Sequence, residues 1–154
     1  MKSFQVAAAT RIWASAPRVY AIIADYRAGH PRILPPAFQD LEVEEGGVGA
    51  GTKIRFKVHL LGVTRTARAV VSEPQPGRVL VESYPDTGAE TTFTVWPTAH
   101  GHECNVEIMS RFPQRGGVLG LLERSLVRAT LRRVYAQELA LLAKEVGVAG
   151  AVSY

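Results

Sequence analysis

From Phe38 to Phe112 the chain runs through short alternating segments cut by glycine and proline, and then changes to one long helical pattern. Few folds accommodate that order. Thr52 to Val58 is the clearest segment: Ile54, Phe56 and Val58 point one way, and Lys53, Arg55 and Lys57 point the other. That period of two marks a strand with one buried face. Leu41 and Val43 alternate with Glu42 and Glu44, and 63–72, 78–84, 91–96 and 103–112 read as further strands. The turns fall at Gly46–Gly51, Gly62, Pro74-Gln75-Pro76-Gly77, Asp86-Thr87-Gly88 and His100-Gly101. Connections this short join antiparallel neighbours, so the block predicts a meander.

Residues 118–146 carry two apolar rows at helical spacing, Leu122, Leu126 and Ala129 in one, and Leu131, Tyr135, Leu139 and Leu142 in the other. Before the meander, Phe4 to Ile12 reads as a strand with Phe4, Val6, Ala8 and Ile12 on one side. Ser15 stands at a helix N-cap with Pro17 in the first turn, and Val19, Ile22 and Ile23 form the buried stripe. A second helical turn over 27–34 ends at Pro35-Pro36. The order is strand, two short helices, six strands and a long helix, an α+β arrangement (β-α-α-β6-α). Only the last helix is long enough to cover the sheet's apolar face. A twisted sheet wrapped around one helix cannot touch it everywhere, so the architecture predicts an apolar cavity.

At 154 residues, with no linker or internal repeat, the chain has the length of one domain, 1–154. Hydrophobic residues at 47% and charged residues at 21% are ordinary globular values and argue against wholesale disorder. No apolar run approaches the ~20 residues of a membrane span. The first residues show no apolar core of a secretion signal, and a single cysteine, Cys104, excludes an internal disulfide; a cytoplasmic setting is expected. The net charge of +4 leaves room for weak peripheral contact with anionic membranes. It lacks the dense basic clustering of a nucleic-acid module, so no nucleic-acid partner is expected.

Several motifs resemble those of the START-like (SRPBCC) superfamily, in its polyketide cyclase/dehydrase and lipid-transport group. They are Ile12-Trp13-Ala14-Ser15-Ala16-Pro17-Arg18-Val19-Tyr20 with Ile23-Ala24-Asp25-Tyr26, and Gly49-x-Gly51-Thr52. Val71-x-Glu73-Pro74-x-Pro76-Gly77-Arg78-Val79-Leu80 and Arg132-Arg133-x-Tyr135-x-x-Glu138-Leu139-x-x-Leu142 complete the set. The resemblance covers nearly the whole chain and implies the helix-grip fold. It also implies lipid, hormone, quinone or polyketide ligands, with cyclisation or dehydration in some members. It carries no single catalytic motif onto these residues, because one fold hosts many activities.

Three functions follow as expectations. The first is binding or transport of a small hydrophobic molecule without a cofactor. Ile33, Leu34 and Phe38 would form the mouth, Ile54, Phe56, Val58, Phe93, Val95, Val106 and Ile108 the walls, and Leu122 and Leu126 the helix side. The second is a cyclase or dehydratase acting on a polyketide-like substrate. Here Arg65 or Arg68 would face Glu82 and Tyr84, a pairing suited to proton transfer and to stabilising an enolate-like oxygen. The parity of both strands is open, since Val79, Val81 and Ser83 compete with Glu82 and Tyr84 for the inner face. The third is a protein- or membrane-surface module working through the stripe Arg124, Arg128 and Arg132. His100-x-His102-x-Cys104 has the spacing of a metal site on one strand face, but a hairpin turn there breaks the alternation, and no metal is expected. The Gly46–Gly51 run leads into a strand, not a helix, and reads as a turn instead of a phosphate loop. Gly116-Gly117, beside Arg115, does open a helix and is read as a flexible connection. His30 and His59 are isolated in sequence and read as loop histidines.

Overall fold

The alternation read from the sequence becomes seven strands in one antiparallel sheet. The computed structural model describes residues 2–114 and 118–151, with side chains over 2–114 and 123–147. The order along the chain is β1 (Ser3–Ile12), α1 (Ala16–Ala24), a 3₁₀ turn (His30–Ile33), β2 (Phe38–Glu45), β3 (Lys53–Leu60), β4 (Val63–Gln75), β5 (Val79–Tyr84), β6 (Ala89–Pro97), β7 (Cys104–Pro113) and α2 (Val118–Ala151). Across the sheet the strands run β1-β7-β6-β5-β4-β3-β2. The meander from β2 to β7 is therefore sequential, and β1 closes on its last strand with Ser3 opposite Pro113 and Ile12 opposite Cys104. The curved sheet gripping a long C-terminal helix is the helix-grip fold.

Strand limits moved where turn chemistry misleads. Pro74 and Gln75 belong to β4, because a bulge between Ser72 and Gln75 lets the strand continue past the proline. Ser15 does occupy the N-cap of α1, yet its side chain makes no capping bond; its carbonyl accepts from Val19 N–H at 3.1 Å. The Gly46–Gly51 run is a docking loop for the end of α1. Gly47 O accepts from Tyr26 N–H at 2.8 Å and Ala24 O accepts from Gly49 N–H at 3.0 Å. Gly49 has φ +67, a left-handed backbone conformation that favours glycine. The loop thereby fixes the backbone of Tyr26, a few residues before the 3₁₀ turn.

The core joins the inner face of the sheet to one side of α2. Leu131, Val134, Tyr135, Leu139, Leu142 and Val146 are buried on the helix, and Val6, Ile12, Ile54, Val71, Leu80, Val95, Val106 and Ile108 on the strands. Of the two apolar rows on α2, the Leu131–Leu142 row is thus the inner one. Leu126 is 57% exposed and Ala129 is exposed, while the side chain of Leu122 lies outside the described residues. No helix among the described residues is long and apolar enough to cross a membrane.

Candidate functional site

A cavity of about 440 Å³ opens between the sheet and α2. Its apolar wall includes Leu34, Phe38, Ile54, Phe56, Val58 and Phe93. Alternation explains the strand contributions: even positions of β3 and β5 and odd positions of β4 and β6 face inward. On α2 the lining residues are Glu123, Val127, Leu131, Tyr135 and Glu138, which recur at helical spacing. Leu126, expected on this wall, points away from it. Ile33, Val95, Val106 and Ile108 are fully buried but do not line the space. Instead, β6 packs against α1, and the 3₁₀ turn carrying Ile33 packs against α2.

The parity of β5 resolves in favour of Glu82 and Tyr84, which both line the cavity; Val79, Val81 and Ser83 face the other side. The arginines do not join them. Arg65 and Arg68 stand exposed at the rim, and Arg68 Nε lies 3.7 Å from Glu44 Oε1. Neither forms an ion pair with Glu82. At the opposite end, His100 and His102 are exposed in the turn before β7, whereas Cys104 turns into the core, so the three do not converge. Arg128 lies 5.9 Å from the Phe4 ring centroid, a cation–π distance.

Glu82 has other companions. The Tyr26 hydroxyl donates to Glu82 Oε1 at 2.7 Å, and the Tyr84 hydroxyl donates to Oε2 at 2.6 Å. His30 stacks on Tyr26 with centroids 4.4 Å apart and meets the edge of Phe93 at 5.6 Å. Its Nδ1 lies 2.7 Å from the carbonyl of Ile23. A carbonyl only accepts, so Nδ1 carries the proton and a neutral ring leaves its lone pair on Nε2. That nitrogen lies 3.9 Å from Glu82 Oε1 and 3.8 Å from Glu138 Oε1, close enough for strong coupling but too far for a hydrogen bond. Glu82, His30 and Glu138 are 5%, 3% and 2% exposed.

Burial sets the charge states. It pushes the Glu138 carboxyl well above the usual carboxylate range, and the neighbouring Glu82 adds to the effect. His30 moves the opposite way: burial lowers it, against the pull of Glu82 and of the Ile23 carbonyl. Tyr26 and Tyr84 are both raised, by burial first and by Glu82 second. Burial therefore favours a neutral imidazole beside a carboxyl that holds its proton more tightly than an exposed one does. A proton acceptor and a proton donor stand side by side in apolar surroundings, the pattern that acid–base chemistry uses.

Reading the sequence alone missed His30, Tyr26, Tyr135 and Glu138. Glu138 had a signal, because it lies three residues after Tyr135 and four before Leu142, inside the buried row of α2. His30, whose place at the second helical turn set it near the expected cavity entrance, read as a loop histidine but is buried, brought to Glu82 by the docking loop and the 3₁₀ turn.

The structural neighbours repeat this architecture. The KanY protein, solved in solution, superposes with a TM-score of 0.83 at 28% identity, covering 96% of this chain and 99% of its own. TTHA0849 from Thermus thermophilus gives 0.77 at 23%, over 95% and 99%. The Zhui aromatase/cyclase from Streptomyces sp. R1128 gives 0.72 at 17%, over 94% and 93%, a likeness of fold alone. No curated protein matches the chain in sequence. Residues 3–147 match the pattern of one family along nearly their whole length, and the chain belongs to the START-like superfamily as a member of the polyketide cyclase/dehydrase and lipid transport family.

Proposed function

We propose that the chain takes up a small, mainly apolar molecule bearing a carbonyl group, and that His30, Glu82 and Glu138 move protons on it. The placement of both carboxyls within 4 Å of His30 Nε2 in a mainly apolar cavity carries the reading. His30 Nε2 accepts a proton from the carbon next to the carbonyl, and the electron pair moves onto the carbonyl oxygen. Glu138 gives its proton to that oxygen, so the product is an enol and the protein ends with protonated His30 and ionised Glu138. Returning the two protons to other positions of the substrate completes an isomerisation. In a cyclisation the enol carbon instead bonds to a second carbonyl carbon, whose oxygen takes the His30 proton while the enol proton returns to Glu138. In a dehydration a β-hydroxyl leaves as water with the His30 proton. Glu82, held by two tyrosine hydroxyls, stabilises the imidazolium that forms in the first transfer.

Deuterium incorporation into 2-tetralone in D2O, followed by NMR, tests this directly. The protein accelerates exchange next to the carbonyl, and His30→Gln or Glu138→Gln lowers the acceleration by about 100-fold. No acceleration beyond that of free imidazole removes the acid–base reading. The apolar wall of Leu34, Phe38, Ile54, Phe56, Val58 and Phe93 then favours the second reading, a carrier of a hydrophobic molecule. Native mass spectrometry of the protein purified from cells, compared with a denatured sample, would reveal the cargo as a mass that denaturation releases.

A further inference from the structure

A second polar chain runs beside the Glu82 cluster and is not used by the proton transfer proposed above. Thr91 on β6 and Ser110 on β7 are directly paired across the sheet, and Thr91 is also the cross-strand partner of Glu82. Their hydroxyl oxygens lie 2.6 Å apart, and Ser110 Oγ lies 2.5 Å from the hydroxyl of Tyr135 on α2. All three residues are buried, Ser110 completely, while Thr91 and Tyr135 line the cavity at the two ends of the chain.

Three hydroxyls own three protons, and two hydrogen bonds consume two of them. Ser110, enclosed in the core, must accept on one side and donate on the other, because its own proton would otherwise be stranded without a partner. The chain therefore runs in one direction. Running from Thr91 to Tyr135, it leaves the Tyr135 O–H free to donate; reversed, it leaves the Tyr135 oxygen free to accept. The hydroxyls of Tyr26 and Tyr84, by contrast, are already committed to Glu82.

We infer that Tyr135 is the oxygen anchor of the cavity, with Ser110 and Thr91 as positioning residues, and that it selects ligands carrying a hydroxyl or carbonyl oxygen over hydrocarbons of the same shape. The inference rests on the apolar-cavity reading and narrows it to a substrate class. It also gives the carbonyl a fixed orientation toward α2, the helix that carries Glu138.

Two fluorescent probes of nearly equal shape, naphthalene and 2-naphthol, separate anchoring from simple burial. At neutral pH the protein should bind 2-naphthol about threefold to tenfold more tightly, the worth of one neutral hydrogen bond. Tyr135→Phe should abolish that preference and leave naphthalene affinity unchanged. Ser110→Ala should shrink the preference as well, although Ser110 never touches the ligand. A merely structural role for Ser110 would weaken both probes together and leave their ratio intact, which overturns its assignment. Should Tyr135→Phe fail to fold, the ratio in Ser110→Ala decides alone. A preference that survives Tyr135→Phe, or none in the unaltered protein, sinks the inference while the cavity stands. Binding of neither probe sinks the cavity reading with it.

Discussion

Glu138 and His30 titrate in opposite senses, and the pair shapes the response to pH. Unfolded, Glu138 ionises near its ordinary value of 4.5; folded, it keeps its proton to higher pH, so its contribution to stability is full below 4.5 and declines as pH rises. His30 unfolds to a group that protonates near 6.5, while the folded ring stays neutral, so its contribution is full above 6.5 and declines as pH falls. Between 4.5 and 6.5 the two slopes oppose each other. Glu138, facing Glu82, His30, Tyr26 and Tyr135, gives the declining limb a slope of up to about 1.4 kcal/mol per pH unit. Glu138→Gln should remove that decline, so its stability relative to the unaltered protein grows as pH rises above about 4.5 in urea titrations. A constant difference across pH would show that Glu138 is ionised in the folded state. The residues of this pair were the least legible part of the chain. Glu82 and Tyr84 could be named from their shared parity on one strand, but their partners come from a turn some 50 residues earlier and a helix some 50 residues later. Only tertiary closure brings them together.

Among the elements, the tight hairpin joining β3 to β4 stores a local conflict. Leu60 pairs with Val63, leaving Leu61 and Gly62 as the two turn residues, with φ of 52° and 77°. Two positive values make this the turn type whose twist suits a hairpin, and asparagine or glycine normally fills its first position. Leu61 is instead a half-exposed leucine in left-handed backbone. Leu61→Asn should raise stability by about 0.5–1 kcal/mol, seen as a higher melting temperature. The glycine made this turn legible in advance, while the leucine gave no sign of its conformation. The long helix shows the same division. Its period and length were plain, but spacing cannot say which apolar row faces the sheet. Leu131→Ala should cost about 2–5 kcal/mol, and Leu126→Ala should stay within about 0.5 kcal/mol, both read from urea unfolding.

For the molecule as a whole, the cavity exists because a curved sheet meets one helix and small residues stand where large ones could fill the gap. Ala67, on the inner side of β4, lines it. Ala67→Phe should reduce naphthalene affinity by at least about tenfold, measured by fluorescence titration, while the protein remains folded. Affinity unchanged by this substitution would place the binding site elsewhere. The overall architecture was legible because every element announced itself locally: alternation marked strands, glycine and proline marked turns, and the long period of α2 marked the only cover available. The pairing of β1 with β7, between residues separated by as many as about 110 positions, has a consequence for synthesis. At about 5–20 residues per second, the N-terminal strand waits some 5–20 s before its partner leaves the ribosome. During that interval its hydrogen-bonding edge and Val6 and Ile12 have no native neighbour strand to cover them. A nascent chain arrested before β7 should therefore be a far better client for a ribosome-associated chaperone than one arrested after α2.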